Sequence, residues 1–134
     1  MRGVWRLGVG LVLALAGAGA GLAQEDLAAR VRKAQEAARA NAESPQGRDW
    51  IRKNSAETDK VMIPLLNKCL PEPGDIPTVF SVFVRLSPEG RAREVVTELD
   101  AGVGRCMTDA AREVRFPAAP REDYWIQVNM AAPL

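Results

Sequence analysis

The chain has 134 residues, 47% hydrophobic and 26% charged, with a formal net charge of +1, two cysteines and no histidine. That balance excludes a nucleic-acid binder, which needs a basic face to displace counterions. The missing histidine removes the usual general base and the commonest metal ligand.

Residues 1–23 read as a targeting segment. Arg2 and Arg6 supply a positive start, Leu7 to Leu15 an apolar run, and Gly21-Leu22-Ala23 a small-x-small cleavage site before Gln24. The apolar run is short and rich in Gly and Ala, which favours a cleaved signal over a membrane span of about 20 apolar residues; an uncleaved anchor is the alternative. Cleavage leaves 111 residues, 16 basic against 17 acidic, a net charge near −1. That is the size of one small domain with a tail. A bacterial protein of the periplasm or medium is expected, with no stable membrane anchor once the signal is removed. In such a compartment Cys69 and Cys106, too far apart for a C-x-x-C redox motif, are expected to form one disulfide. Closing that loop is worth about 4 kcal/mol in lost unfolded-chain entropy, and a structural staple is the expected role; a redox or intermolecular role is the other possibility.

Residues 24–48 form an alanine-rich segment, helical or partly disordered, ahead of a domain at 49–134. Leu27, Val31, Ala34 and Ala38 recur at helical spacing, but a stripe made mostly of alanine buries little. Glu43-Ser-Pro-Gln-Gly47 reads as a breaker, and structured packing is expected after it. Ser55 is the expected N-cap of a helix through Thr58, Val61, Met62, Leu65, Leu66 and Cys69, kinked or restarted at Pro64 and ended by Pro71-Glu-Pro-Gly74. Trp50 is expected in the core.

Phe80, Val82, Val84 and Leu86 alternate with Val79, Ser81, Phe83 and Arg85, which predicts a strand with one apolar and one mixed face. Ser87-Pro-Glu-Gly90 suits a type I turn with Gly in the left-handed position, and Ala92 to Leu99 returns. Asp100 can cap a helix whose Val103, Cys106, Met107, Ala110, Ala111 and Val114 form one stripe, stopped by Pro117. Tyr124, Ile126, Val128 and Met130 alternate with Trp125, Gln127 and Asn129 as a third strand. Together these predict a two-layer α+β domain, a three-stranded antiparallel sheet in β-β-α-β order backed by helices.

From about Met62 to Met130 the chain resembles the C-terminal domain of the TonB family of periplasmic energy transducers. The likeness rests on the strand Val79 to Leu86, the turn Ser87-Pro-Glu-Gly-Arg91, Val95-Val96-Thr97, the helix from Val103, Val114-Arg115-Phe116-Pro117-Ala118, and the strand Tyr124 to Met130. The positions of Cys69 and Cys106 are similar to those of two-cysteine variants of the AgmX/PglI type associated with gliding motility. The resemblance implies a last strand at the sheet edge, able to accept an extended peptide as an added strand. Carried over, the partner-binding edge is Tyr124, Trp125, Ile126, Gln127, Val128 and Asn129. A covered edge or a homodimer contact is the other possibility. The family's membrane helix bears a histidine and precedes a long proline-rich spacer; neither feature is matched here.

Without histidine, Ser-His-Asp and Cys-His sites cannot be built. The carboxylate pairs Glu25-Asp26, Glu122-Asp123 and Glu94 with Glu98 read as solvated charge, Gly102-Val-Gly104 is no phosphate loop, and no cofactor or metal site is evident. The expected function is a non-catalytic, exported interaction module binding an envelope protein or peptide. The alternatives are a structural accessory subunit of an envelope complex, or a TonB-like transducer if the N-terminal segment stays as an anchor.

Overall fold

The computed structural model describes residues 18–70 and 79–131, with side chains from residue 26 onward. Residues 1–17 of the predicted targeting segment and the Pro71-Glu-Pro-Gly74 stop lie outside them. Helices α1 (Ala18–Glu43) and α2 (Pro45–Cys69) precede strands β1 (Val79–Leu86) and β2 (Ala92–Thr97). Helix α3 (Ala101–Ala110), a 3-10 turn at Ala111–Glu113 and strand β3 (Tyr124–Ala131) follow. The sheet is antiparallel with the order β2-β1-β3, an α+β fold with β1 at its centre.

One face of the sheet gathers Phe80, Val82, Val84 and Leu86 of β1 with Val95 of β2 and Tyr124, Ile126, Val128 and Met130 of β3. Trp50, Met62, Leu65 and Leu66 of α2 cover it together with Val103 and Met107 of α3. Cys69 and Cys106 join these two helices through a disulfide with Cα atoms 5.7 Å apart. The opposite face holds Phe83, Val96 and Trp125, and α1 lies across it through Leu27, Val31, Ala34 and Ala38.

Helices therefore cover both faces, and the expectation of two layers is corrected to three. An alanine stripe buries little of its own, but its small side chains let the helix approach closely. Phe83 and Val96 then supply the apolar area, and both are buried. Docking, rather than intrinsic propensity, holds α1 in place.

The expected breaker at Glu43 to Gly47 is a helix junction. Ser44, in extended conformation, accepts the Gly47 N–H at 2.9 Å and donates to the Asn41 carbonyl at 2.7 Å; Pro45 then takes the first helical position, where its missing N–H costs nothing. A Cβ at Gly47 would lie 1.6 Å from the Asn41 carbonyl oxygen, so glycine is what permits α2 to leave α1 this sharply. Ser55 is mid-helix, its hydroxyl donating to the Ile51 carbonyl, and the expected start there is corrected to Ser44. The helix runs on through Pro64, an exposed position.

Other local expectations match. Gly90 closes the hairpin with φ +81° and donates to Ser87 O at 2.9 Å, and its own carbonyl accepts the Phe116 N–H. Asp100 caps α3 by accepting from Gly102 N at 2.5 Å and Val103 N at 3.3 Å. Trp50 is buried, its indole N–H donating to the Ala118 carbonyl at 2.8 Å and its ring 5.8 Å from that of Tyr124.

Candidate functional site

Backbone polarity of the sheet follows from a few hydrogen bonds. In an antiparallel strand successive residues turn their N–H and C=O to opposite sides. Ser81 directs both towards β2, giving its N–H to the Glu98 carboxylate and accepting from the Thr97 hydroxyl. Phe80, Val82, Val84 and Leu86 therefore bond to β3, where they face Met130, Val128, Ile126 and Tyr124. The backbone groups of Trp125, Gln127 and Asn129 point away from the sheet. The same parity sends Val95 outward from β2.

On β2 that outward pair is closed. The Thr108 hydroxyl accepts the Val95 N–H at 3.0 Å and sits 3.3 Å from the Val95 carbonyl. Gly104 allows the approach of α3, since a Cβ there would already be 3.2 Å from that carbonyl.

On β3 one outward group is taken. The Asn41 amide donates to the Trp125 carbonyl at 2.9 Å, and Arg121 donates to the Asn41 side-chain oxygen, which fixes the orientation of the amide. The Trp125 N–H and the N–H and C=O of Gln127 and Asn129 have no hydrogen-bond partner among the described residues. Their side chains are occupied with one another: Gln127 donates to Asn129 at 2.8 Å and to Ser81 at 3.2 Å.

This edge is the floor of a groove of about 330 Å³, walled by α1 (Gln35, Ala38, Arg39) on one side and α2 (Trp50, Ile51, Thr58) on the other. The lining is mostly apolar. Asn41 and Ala42, just before the junction with α2, line the groove beside Trp125. Three large hydrophobic residues are exposed among the described ones: Ile51 at 41%, Ile63 at 39% and Val79 at 66%. Ile51 and Ile63 lie on a single stripe of α2, with Ser55 and Asp59 between them at four-residue spacing, and Ile51, Ser55 and Asp59 line the groove. Ile51 is thus the exposed large hydrophobic residue on the groove wall, and Ile63 continues its stripe beyond the groove.

The electrostatics are simple. Arg121 stands 5.1 Å from the centre of the Tyr124 ring, and burial pushes the Tyr124 phenol above its ordinary value, partly opposed by that guanidinium. Arg39 has no carboxylate within ion-pair distance among the described residues. Among the described residues, Glu94, Glu122 and Asp123 pair with arginines. Glu94 meets Arg30 at 2.7 Å and Arg85 at 3.5 Å, Asp123 meets Arg85 at 2.6 Å, and Glu122 meets Arg93 at 3.6 Å. Among the described residues no three His, Cys, Asp or Glu side chains converge as a metal site, and no helix is long and apolar enough to cross a membrane.

The structure brings Tyr124 to Asn129 together with residues the sequence did not single out as binding groups: Arg39, Asn41 and Ile51. The four-residue spacing of the α2 stripe was readable. The reach of Asn41 to a strand 84 residues later was not. No family model matches the chain, and neither a curated protein nor a solved structure is significantly similar to it.

Proposed function

We propose that the protein is a non-catalytic interaction module of the bacterial cell envelope, periplasmic or secreted, that captures an extended polypeptide by adding it as a strand to β3. The carrying observation is a strand edge, at the bottom of an apolar groove, whose Gln127 and Asn129 backbone groups have no partner among the described residues. Backbone groups of Gln127 and Asn129 supply sequence-independent affinity, and the two helical walls read alternate side chains. The β-β-α-β order with its last strand at an edge supports kinship with the TonB C-terminal domain, and the disulfide fits an oxidising compartment.

Photo-crosslinking in cells tests the reading. A photoreactive residue at Gln127 yields one discrete adduct with an envelope protein, whereas the same residue at Glu36, on the outward side of α1, yields none. Adducts only at Glu36, or only self-adducts at Gln127, would replace strand capture by a structural subunit or a closed dimer.

A further inference from the structure

We infer that the groove takes the C-terminal end of a partner polypeptide, running antiparallel to β3 with its terminal carboxylate lodged beside Trp125. The inference rests on the strand-addition reading and specifies the ligand for that site.

The hydrogen-bonding pattern at the Trp125 end is asymmetric. A residue paired opposite Trp125 in an antiparallel ladder gives its N–H to the Trp125 carbonyl and accepts the Trp125 N–H. The carbonyl is already taken by the Asn41 amide, so an incoming N–H would meet a donor instead of an acceptor. The Trp125 N–H remains open. A chain that stops opposite Ile126 puts a carboxylate oxygen where the next peptide N–H would lie, against the Asn41 amide, whose second N–H has no acceptor among the described residues.

Charge points the same way. Arg39 lines the groove and Arg121 braces Asn41, and neither has a carboxylate partner among the described residues; the groove's own carboxylate, Asp59, lies about two turns of α2 beyond Ile51, away from the junction. Charge-assisted bonds to a carboxylate are shorter and stronger than neutral ones. The reverse polarity would place a terminal ammonium among these donors and guanidinium groups. Asn41 and Ala42, at the C-terminal end of α1, line the groove at this same end, beside Trp125.

Parity sets the sequence preference. The last residue, opposite Ile126, and the third from last, opposite Val128, face α2 and its Trp50 and Ile51 surface. The residue between them, opposite Gln127, faces α1, where Ala38 and the Gln127 and Asn129 amides leave room for a small polar side chain. The ligand class is a polypeptide tail ending apolar-polar-apolar with a free carboxylate.

Two random hexapeptide display libraries decide the question, one with free C-termini and one continued by a fixed Gly-Ser tail, both panned against the full chain. The strongest binder is then synthesised as acid and as amide and titrated by fluorescence polarisation. Enrichment is expected from the free-end library alone, with the amide weaker by about tenfold or more. Arg39→Glu should shrink the acid-over-amide ratio, and an unchanged ratio in this variant would count against the carboxylate site. Equal enrichment from both libraries, equal acid and amide affinities, and loss of both in Gln127→Pro would overturn C-terminal selection and leave strand capture standing. No enrichment from either library by the folded protein would overturn both.

Discussion

At the β2 edge the outward N–H and C=O of Val95 both meet the hydroxyl of Thr108, and α3 lies over them; at the β3 edge the corresponding groups of Gln127 and Asn129 are bare among the described residues and two helices stand back from them. Both edges belong to one small sheet and both are flanked by helices. The difference is placement. Gly104 brings α3 onto the β2 edge, whereas the junction at Gly47 sends α1 and α2 to opposite faces, straddling β3. The outward groups of Val95 are covered by α3, while those of Gln127 and Asn129 lie open within a groove.

The comparison breaks most severely through the disulfide, which ties α2, a wall of the open edge, to α3, the cover of the closed one. Replacing Cys69 and Cys106 together by Ala should cost about 4 kcal/mol by loop-closure entropy, read as a lower urea midpoint. Gly47→Ala attacks the open side alone: its Cβ has no room beside Asn41, and a loss of roughly 1–3 kcal/mol is expected with weaker peptide binding. Thr108→Val attacks the closed side alone. It strands the Val95 N–H and should cost roughly 1–2 kcal/mol, with faster hydrogen exchange at that amide and no change in peptide capture.

Gln127→Pro sharpens the contrast. Its N–H points away from β1, so no ladder bond is lost and the stability cost should stay under about 1.5 kcal/mol, while strand addition is abolished. The smallest effect concerns pH. The raised phenol of Tyr124 makes its neutral form the favoured one in the folded state, so this contribution is fully present below the ordinary tyrosine value of 10.0 and is lost as pH rises through the higher folded value. Unfolding curves at pH 9 and 11 should show a decline that Tyr124→Phe reduces.

Much of the fold was legible because its signals are local. Alternation marked β1 and β3, Pro88 and Gly90 marked the hairpin, and Asp100 marked the start of α3. The alanine segment was undervalued because its burial depends on Phe83, Val96 and Trp125, supplied from far along the chain. The Ser44-Pro45 pair looked like an interruption because a helix stop and a helix start share the same residue types. At the candidate site, the alternation of Tyr124 to Asn129 indicated which side chains share a face. Which backbone groups were free depended on strand order and on Asn41, neither of which leaves a periodic trace.

The depth at which β3 lies has a consequence for solubility. Unpaired strands at a flat rim let folded molecules stack sheet to sheet into fibrils. Here residues of α1 and α2 stand on either side of the β3 edge as the walls of a groove. On the strand-capture reading, the two helices that shape the groove also select by thickness, favouring a lone strand over the edge of a folded sheet.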